Sequence, residues 1–464
     1  MGMGLGFLEL PRVKEQKRAP ALRVQDFDEV SATLNPSDAR QQVARCMDCG
    51  IPFCMHQCPL HNALPDIHRL LQMGDPRGAF ALLSATSGFA EITGRICPAL
   101  CEKACVLNLV QHEPTTNRED EAAIIEAAFR EGYITRQQHV RNGRQVAVVG
   151  AGPAGLATAY QLNTLGYTVT VFDKNEAAGG LLRYGIPNFK LNKAVIDRRI
   201  RHLEDDGITF RYGCTVTMDQ GQLTMDDGSG STQAPTALGQ FDAIVMATGT
   251  PTARDLNVPG RKLKGVHLAL EMLAQQNRVL AGMEFAKDER ITAKGKDVLV
   301  IGGGDTGSDC IGTAHRQGCK SVTQIEIMPR PVEGHTDPQN PWPNYPRTLK
   351  TTSSHEEGCT RRWNINTLEF IGKDGRLAGV RVQEIDWKPN PDGGRPIMVE
   401  KGQPEVIKAE LCLLAMGFLK PQHPDYPANV FVCGDAANGA SLVVRAMASG
   451  METARKVNDF LLRA

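Results

Sequence analysis

Apolar and polar residues follow two different patterns along this chain. Over about the first 140 residues, apolar positions recur at helical spacing, notably in Pro65–Met73 and Arg118–Glu131, and β-branched runs are nearly absent. Ser37 stands where a capping residue would precede a helix over Ala39–Arg45. From Arg144 onward, short apolar runs end in glycine and lead into helix-compatible segments. The pattern therefore predicts a helical N-terminal region followed by α/β units.

The first α/β unit begins with a strand that runs into a glycine loop. The apolar strand Gln145–Gly150 ends in Gly150–Gly155, which matches G-x-G-x-x-G and precedes the helix-compatible segment Leu156–Leu165. Glycine is favoured at these three positions because it has no side chain. It permits the tight turn, the close approach of the backbone to a pyrophosphate, and the close packing of the helix on the strand. The next strand, Tyr167–Asp173, ends in an acid that can accept hydrogen bonds from ribose hydroxyls. This order of features predicts a dinucleotide site.

A second unit of the same kind begins about 150 residues later. The strand Lys296–Gly302 leads into the loop Gly302–Gly307 and the helix-compatible segment Ser308–Arg316. In the following strand, Glu326 favours a ribose with a free 2′-hydroxyl, whereas Arg330 could hold a 2′-phosphate. The choice between NADH and NADPH therefore stays open at this level. Two such loops in one chain predict a flavin and a nicotinamide that exchange a hydride.

Two more strands extend this interpretation to a known superfamily. Asp242–Gly249 and Val430–Asp435 are apolar strands that end in Ala-Thr-Gly and Gly-Asp, and a helix is expected from Ser441. Both resemble flavin disulfide-reductase-like proteins, in which the final Asp meets the flavin ribityl chain. The expected fold is therefore α/β, with two Rossmann-like nucleotide-binding domains preceded by an α-helical domain. No adjacent redox cysteine pair occurs in the α/β part, which disfavours disulfide reductase chemistry.

The cysteines are concentrated in the helical region. Seven of the 13 lie between Cys46 and Cys105, with spacings of two, four and three residues in the first run and three and three in the second. Thiolates at such spacings can hold iron–sulfur clusters, and seven suit two four-iron clusters if one other ligand completes the set. Two structural zinc sites are the alternative. The paired nucleotide loops favour iron, because electrons need an acceptor and zinc cannot take them.

Composition narrows the expected partners. The chain has 464 residues, with 52 Lys and Arg against 52 Asp and Glu, so no net charge attracts nucleic acid or an anionic membrane. No apolar run reaches the roughly 18 residues of a spanning helix. The beginning, Met1–Gly6, lacks the charged-then-apolar order of a signal peptide. We therefore expect a cytoplasmic protein that binds neither nucleic acid nor a membrane.

The chain resembles, over nearly its whole length, the small (β) subunits of NADPH-dependent glutamate synthase. The resemblance is carried by Gly6–Glu9, Arg45–Cys54, Gly94–Pro98, Gly180–Pro187, Gly302–Asp309, Ser321–Pro331 and Ala440–Val444. It implies that NADPH reduces FAD, that two 4Fe–4S clusters receive the electrons, and that the chain works in a hetero-oligomer. The implied partner is a large (α) subunit with FMN and an iron–sulfur cluster, which makes glutamate from glutamine and 2-oxoglutarate.

The resemblance also implies which residues hold each cofactor. One cluster would be held by Cys46, Cys49, Cys54 and Glu121, and the other by Cys58, Cys97, Cys101 and Cys105. FAD would lie against Gly150, Gly152, Ala154, Gly155, Asp173, Gly180, Leu181, Arg183, Thr248, Gly249, Gly434, Asp435, Ser441, Leu442 and Val443. NADPH would lie against Gly302, Gly303, Gly304, Asp305, Thr306, Gly307 and Arg330. No side chain is assigned an acid–base role, because the cofactors carry the hydride and electron transfer.

The expected domains follow from this assignment. Residues 1–140 form the helical domain with two clusters, 141–256 and 417–464 form the FAD-binding domain in two parts, and 257–416 form the NADPH-binding domain. The family has a longer connection than Leu419–Asn429 before the last strand, so we expect a less completely closed FAD pocket. Two alternatives stay open: a ferredoxin-linked or electron-bifurcating NADPH reductase built from the same module, and a zinc-stapled interaction protein.

Overall fold

The computed structural model describes residues 5–13, 15–219, 222–226 and 236–463. The N-terminal region is helical, as its apolar spacing predicts. Its helices are α1 (Gly6–Glu9), α2 (Pro20–Arg23), α3 (Pro36–Val43), α4 (Phe53–Gln57), α5 (Leu64–Gln72), α6 (Pro76–Thr86), α7 (Ala90–Ile96), α8 (Leu100–Lys103), α9 (Leu107–Val110) and α10 (Asn117–Arg130). Helices α5 and α10 begin and end within one residue of the bounds expected from the sequence.

The capping residue of α3 differs from the expectation. Ser37 lies inside the helix, and the Asn35 side chain accepts a hydrogen bond from the Asp38 N–H at 2.9 Å instead. Pro36 explains the shift, because its ring fixes a helical φ and the missing N–H suits the first helical position. The prediction of Ser37 as the cap was therefore wrong, although a helix follows as predicted.

The first α/β unit contains the expected strand, glycine loop, helix and strand. Its elements up to the crossover are β1 (Gln145–Val149), α11 (Pro153–Thr164), β2 (Thr168–Asp173), α12 (Leu181–Tyr184), α13 (Lys193–Asp205), β3 (Thr209–Tyr212), β4 (Thr215–Asp219), β5 (Gln222–Asp226), β6 (Thr236–Ala237), a 3₁₀ turn (Leu238–Gln240) and β7 (Ala243–Met246). Strands β4, β5 and β6 form a small antiparallel sheet that the sequence pattern does not predict.

The second α/β unit repeats the plan with one insertion. Its elements are β8 (Val266–Leu268), α14 (Ala269–Leu280), β9 (Asp297–Ile301), α15 (Asp305–Arg316), β10 (Ser321–Ile325), α16 (Ser353–Glu356), β11 (Thr360–Arg362), β12 (Ile365–Lys373), β13 (Arg376–Lys388), β14 (Ile397–Lys408) and β15 (Leu411–Leu414). Strands β12, β13 and β14 form an antiparallel meander. Its central strand alternates buried and exposed residues, a period-two signal that was overlooked beside the two glycine loops.

The chain then returns to the first unit through β16 (Val430–Val432), α17 (Asp435–Asn438) and α18 (Val443–Leu461). The first sheet has the order β16-β7-β1-β2-β3 and the second has the order β11-β10-β9-β15-β8, and every pairing in both is parallel. In each sheet the glycine loop follows the middle strand. Ligands bind at this carboxyl edge in open parallel sheets, so the topology gives two nucleotide positions.

The helical region packs directly on the first α/β unit. Phe89 and Ile92 share one hydrophobic core with β1, β2, α11 and α18, and the Phe89 ring meets the Tyr160 ring edge-on. Beside them Arg199 of α13 and Glu91 of α7 form a buried two-bond ion pair, at 2.5 and 2.9 Å. Because both hydrogen bonds are formed, neither buried charge is left without a partner, and the ion pair ties α7 to α13.

The segment before α3 ties the helical region to the second unit. Arg23, Glu357 and Arg316 are buried side chains joined by hydrogen bonds, with Arg23 Nε at 2.7 Å from Glu357 Oε1 and Arg316 NH1 at 2.7 Å from Glu357 Oε2. The Val30 N–H also donates to the Phe189 carbonyl at 2.9 Å. The three regions therefore meet around one interior space. In the part of the chain that is described, no helix has the length and apolar character needed to cross a membrane.

Candidate functional site

A cavity of about 1280 Å³ lies where the helical region and the two α/β units meet. Most residues expected to contact FAD line it: Gly150, Gly152, Ala154, Asp173, Gly180, Leu181, Thr248, Gly249, Asp435, Ser441, Leu442 and Val443. From the second unit it is lined by Asp305 and Thr306, at the beginning of α15, and from the helical region by Cys97 and Pro98. One cavity therefore brings together parts of both nucleotide loops and a cysteine.

The first glycine loop has the geometry that its sequence predicts. Gly150 has φ +105°, which L side chains rarely adopt, and a Cβ on Gly155 would lie 1.9 Å from the Gly150 carbonyl oxygen. These glycines let α11 begin directly against β1, so the N-terminus of α11 faces the cavity. Its free N–H groups and partial positive charge suit a pyrophosphate.

Asp173 closes this loop from the end of β2. Its Oδ2 accepts the Ala151 N–H at 2.7 Å, and its Oδ1 accepts two bonds from Asn175, at 2.8 Å from the backbone N–H and 2.9 Å from Nδ2. The carboxylate is buried and lines the cavity. It is thus held rigidly at the position where a ribose would meet it.

Three of the expected FAD residues do not line the cavity. Gly155 packs beneath the loop, and Gly434 lies so close to α11 that a Cβ there would be 2.5 Å from the Ala154 Cβ. Arg183 points elsewhere because its guanidinium donates to the Ala178 carbonyl at 2.5 Å and pairs with Asp197. The expectation that Arg183 contacts flavin is therefore corrected: it supports the segment that precedes Gly180.

The short connection Leu419–Asn429 still delivers the last strand and its helix to the cavity. β16 pairs with β7, and the Ser441 hydroxyl donates to Asp435 Oδ1 at 2.5 Å at the cavity wall. Upstream, the Leu419 N–H donates to the Thr252 carbonyl at 2.9 Å. The C-terminal wall of the FAD site is thus built in spite of the shortened segment.

The second glycine loop repeats the first. Gly302 has φ +121°, and Glu326 Oε2 at the end of β10 accepts the Gly303 N–H at 2.5 Å, just as Asp173 accepts the Ala151 N–H. Gly302, Gly303, Gly304 and Gly307 lie outside the cavity lining, on the more open side of the second sheet. The site for the second nucleotide therefore continues from the cavity to the surface.

Arg330, which we expected at the 2′-phosphate, follows this acid four residues later in the chain. Its guanidinium is exposed, pairs with Glu333 and sits 5.2 Å from the centre of the Trp363 ring. Arg361, on the neighbouring strand β11, sits 5.0 Å from the same ring. Arg361 was missed from the sequence because it is 31 residues further along the chain, and only the parallel pairing of β10 with β11 brings it near.

Sequence reasoning also missed an ion pair inside the cavity. Lys190 Nζ lies 2.5 Å from Asp309 Oδ1, and both residues line the cavity. Lys190 follows the segment Gly180–Pro187, whereas Asp309 lies on α15, so the pair joins the two α/β units at the place where their nucleotides meet. Burial raises the pKa of Asp309. Burial also acts to lower the pKa of Lys190, but the adjacent Asp309 carboxylate acts to raise it, and the pKa of Lys190 is raised overall.

The cysteines fall into two groups that differ from the expected ligand sets. Burial raises the pKa of the Cys54 thiol to about 12, and the neighbouring charges that add to the rise are Cys105, Cys46 and Cys49. Burial likewise raises the pKa of Cys49, with Cys46 and Cys105 as its nearest charges. Cys105 therefore lies beside the first run, whereas we expected it with Cys58, Cys97 and Cys101. We call Cys46, Cys49, Cys54 and Cys105 the first group.

Glu121 completes the other group. Burial raises the pKa values of Cys58, Cys97 and Cys101, and Glu121 is a neighbouring charge of all three. Its Oε1 accepts from Asn62 Nδ2 at 2.9 Å and its Oε2 accepts from Thr93 Oγ1 at 3.0 Å. Glu121 therefore lies beside Cys58, Cys97 and Cys101, whereas we expected it with Cys46, Cys49 and Cys54. We call Cys58, Cys97, Cys101 and Glu121 the second group.

Two local features explain this exchange of Cys105 and Glu121. Ala99 has φ +57°, so the chain turns sharply between Cys97 and α8, which carries Cys101. Helix α10 lies very close to α7, since a Cβ on Gly94 would be 2.7 Å from the Ala122 N. This close packing brings Glu121 beside Thr93 and Cys97.

The donor atoms around the two groups fit bound clusters. Within the described residues, the buried Asn117 Nδ2 has no completed hydrogen bond, and neither does the buried His68 ring, although its Nε2 lies 3.4 Å from Asp120 Oδ2. Asn117 lies against Cys101 and His68 against Cys46. Buried donors beside ligand sulfurs suit iron–sulfur clusters, whose sulfurs accept such bonds. Among the described residues, no three His, Cys, Asp or Glu side chains are arranged to hold a single metal ion.

Two protein-family models match the chain. The model of dihydropyrimidine dehydrogenase domain II, 4Fe-4S cluster, matches residues 23–132, and the model of pyridine nucleotide-disulphide oxidoreductase matches residues 144–419. The expected order of an iron–sulfur domain before nucleotide-binding units is thereby confirmed. The expectations of FAD, NADPH and 4Fe–4S chemistry are supported in the same way, and iron rather than zinc is the metal of the helical region.

Individual relatives extend the likeness over the whole chain. The glutamate synthase [NADPH] small chain of Mycobacterium tuberculosis is 42% identical over 98% of this chain and 96% of the relative. The protein of the same name from Bacillus subtilis is 36% identical over 100% of this chain and 99% of the relative. The solved structure of Mycobacterium tuberculosis FprA in complex with NADPH shares the fold, with a TM-score of 0.51 over 69% of this chain and 85% of that chain at 16% identity.

Proposed function

Because the chain belongs to the family of glutamate synthase small chains, we propose that it is the NADPH-oxidising electron-input subunit of a glutamate synthase. When bound, FAD accepts a hydride from NADPH and releases its two electrons singly to 4Fe–4S clusters. The observation that carries the proposal is the single cavity lined by the first glycine loop, the beginning of α15 and Cys97. It gives a flavin contact with a nicotinamide on one side and a cluster ligand on the other.

The chain's own residues divide the binding work as follows. Residues 141–256 and 417–464 bind FAD, with Asp173 and the α11 N-terminus facing its ribose and pyrophosphate. Residues 257–416 bind NADPH through the loop Gly302–Gly307, and Arg330 meets the 2′-phosphate. Residues 1–140 hold two clusters, one in each group of ligands. The Lys190–Asp309 pair, at 2.5 Å, supports this division because it holds the two nucleotide-binding units in register at the cavity.

The two groups lie in series between the flavin and the surface. Cys97 of the second group lines the cavity, whereas none of the four cysteines of the first group does. Met47 and Ile51, within the loop of the first group, are exposed apolar residues. Electrons therefore pass from flavin to the second group and then to the first group, from which they leave the chain.

The surface around the first group suits a protein partner. Exposed apolar residues gather there, and we call them the apolar face: Leu5, Leu8, Met47, Ile51, Met73, Leu109 and Val110. Hydrogen bonds join the elements that carry them, from Gln111 Nε2 to the Phe7 carbonyl at 3.3 Å and from Gln72 Nε2 to the Val43 carbonyl at 2.7 Å. Exposed apolar side chains on a chain with no net charge suit a protein interface.

The partner that fits this surface is a glutamate synthase large subunit. It carries FMN and an iron–sulfur cluster, and it joins this chain in a hetero-oligomer that makes glutamate from glutamine and 2-oxoglutarate. The reduced thiols of both groups suit the cytoplasm, where disulfides are rare.

Anaerobic purification with and without the large subunit tests the proposal. We expect protein that contains FAD and iron, a flavin band that bleaches when NADPH is added, and glutamate formation only when the large subunit is present. A colourless protein that contains zinc would contradict the proposal. Flavin reduction without glutamate formation, together with rapid reduction of a ferredoxin, would instead identify the alternative reductase.

A further inference from the structure

Two buried polar residues lie between the groups and have no role in the proposed function so far. Thr115 and Asn117 are 4% and 0% exposed, and Asn117 is the first residue of α10. One of them contacts a ligand of the first group and the other contacts a ligand of the second group. Buried hydroxyl and amide groups are costly unless their hydrogen bonds are made, so their partners indicate what they do.

Thr115 contacts the first group and also orients Asn117. Its Oγ1 lies 2.7 Å from Asn117 Oδ1 and 3.8 Å from Cys105 Sγ. A hydroxyl has one hydrogen, and the short contact takes it, so Thr115 donates to the amide oxygen. The amide nitrogen must then point away from Thr115, in the opposite direction from Cys105.

The freed amide nitrogen faces the second group. Asn117 Nδ2 is buried without a completed hydrogen bond among the described residues, and it lies beside Cys101. The neighbouring Arg118 N–H donates to Glu102 Oε1 at 3.0 Å, which locks the beginning of α10 against the helix of Cys101. The donor is therefore fixed in place before any cluster binds.

We propose that Thr115 and Asn117 form a hydrogen-bonded pair between the two cluster sites, which we call the bridge, in which Asn117 donates to sulfur at the second site and Thr115 holds the amide in that orientation. The inference rests on the proposed function only in taking each group to hold a cluster. A donor to sulfur stabilises the reduced cluster, because reduction adds negative charge. Asn117 thus raises the reduction potential of the second cluster, so that one electron enters it from flavin and leaves to the first, with no proton moved.

Asn117→Leu tests the bridge, because it removes the donor and keeps the side-chain volume. Asn108→Leu is the matched control, since Asn108 is also buried in this region but its Nδ2 donates to the Lys103 carbonyl at 3.2 Å rather than to sulfur. Each holoprotein is prepared without oxygen, analysed for iron and FAD, and titrated potentiometrically with EPR detection. The second cluster is identified as the signal that changes in Glu121→Gln.

At the potential that half-reduces the second cluster in the native protein, we expect Asn117→Leu to lower the ratio of reduced to oxidised cluster about tenfold, equivalent to about 59 mV for one electron. Thr115→Val should lower it about threefold, and the double variant about tenfold, since the two residues act in series. Asn117→Gln, which keeps a donor, should recover most of the native ratio. Asn108→Leu should stay within about twofold of the native ratio.

A ratio in Asn117→Leu within about twofold of native, or an equal change in Asn108→Leu, would overturn the bridge. If Asn117→Leu loses iron, Thr115→Val is used as the test instead, because it leaves every ligand and the amide in place. An unchanged ratio of reduced to oxidised second cluster in Thr115→Val would then overturn the inference. The proposed function fails separately: it falls if native protein lacks iron or if NADPH does not bleach its flavin. If the native protein contains iron and its flavin is bleached by NADPH, but the variants leave the ratio of reduced to oxidised cluster unchanged, only the bridge is overturned.

Discussion

The two groups of cluster ligands lie in the same helical domain, yet their surroundings are opposite. In the second group Cys58, Cys101 and Glu121 are buried, and Cys97 faces the interior cavity. In the first group all four cysteines are partly exposed, and Met47 and Ile51 of the apolar face lie between three of them in the chain. An enclosed site beside the flavin can receive electrons without loss to solvent, and a site near the surface can pass them to another protein. This difference supports the proposed direction of electron flow through the chain.

The ligands differ as well as the surroundings. The first group consists of four thiols, whereas the second contains the carboxylate of Glu121, whose hydrogen-bond donors, Asn62 and Thr93, are both neutral. Burial raises the pKa of Glu121 to about 7, and these two donors lower it only in part. Iron at the second site would supply the positive charge that this buried carboxylate lacks. The two sites are therefore expected to respond differently to loss of a ligand.

Cysteine replacement should have the largest effect and tests the order directly. We expect Cys58→Ser to lose the second cluster, so that NADPH still bleaches the flavin but the first cluster stays oxidised. Cys105→Ser should lose the first cluster and leave the second reducible by NADPH. Both variants should lower glutamate formation at least about a hundredfold, because the route is broken at one point. EPR after anaerobic addition of NADPH gives the measurement.

The opposite pattern would reverse the comparison. If the first cluster is reduced by NADPH in Cys58→Ser, electrons do not need the second site. Iron loss from both sites in both variants would show that the domain folds as one unit, and flavin reduction by NADPH would then serve as the control for the intact α/β part.

Replacing Glu121 should have the next largest effect and affect only the enclosed site. We expect Glu121→Ala to lower occupancy of the second cluster roughly tenfold, because one ligand is missing. Glu121→Gln should keep the cluster, since an amide oxygen can still reach iron, and alter only its EPR signal. Iron analysis and EPR of anaerobic protein measure both. Loss of the signal of the first cluster in Glu121→Ala would instead support the ligand sets expected from the sequence.

A charge introduced on the apolar face should weaken only the binding of the large subunit near the first group. We expect Ile51→Glu to weaken binding of the large subunit roughly tenfold, because a carboxylate must be desolvated in the interface. Leu280→Glu is the matched control, because Leu280 is an exposed apolar residue at the end of α14 on the second unit. Affinity is measured by titration of the large subunit, with reduction of both clusters by NADPH unchanged. Equal losses in the two variants would remove the apolar face from the interface.

The smallest expected effect is on the NADPH site, which comes before both groups of cluster ligands in the proposed electron route. Arg330→Ala should raise the KM for NADPH about tenfold and change that for NADH little, since a charge-assisted bond to the 2′-phosphate is lost. Arg361→Ala should act in the same direction, as both guanidiniums lie against the Trp363 ring. Steady-state flavin reduction with both coenzymes measures this. Equal changes for NADPH and NADH would exclude a 2′-phosphate contact, and the clusters should be unaffected in either case.

Features set by neighbouring residues could be predicted from the sequence. The strand, glycine loop, helix and acid of each nucleotide unit lie within some 30 residues, and Asp173 and Glu326 each accept an N–H from their loop. The position of Arg330 after the second acid follows from the same short-range order. Local sterics and periodicity decide such features, so the pattern is enough.

Features that depend on how distant segments pack could not be predicted. The positions of Cys105 beside the first run and of Glu121 beside Cys97 were not predicted, because they depend on tertiary packing such as the close contact of Gly94 with α10. The antiparallel meander and the pairing of Lys190 with Asp309 depend likewise on long-range contacts. The Ser37 prediction failed at shorter range, because Pro36 at the first helical position moved the cap to Asn35.

Anaerobic mixing of the native holoprotein with NADPH, followed by flavin absorbance and by EPR of rapidly frozen samples, tests the route from cavity to surface most directly. The account predicts that the flavin band bleaches first and that iron–sulfur signals appear only afterwards, with the signal altered by Cys105→Ser reduced last. Iron–sulfur signals that appear while the flavin remains oxidised would contradict it.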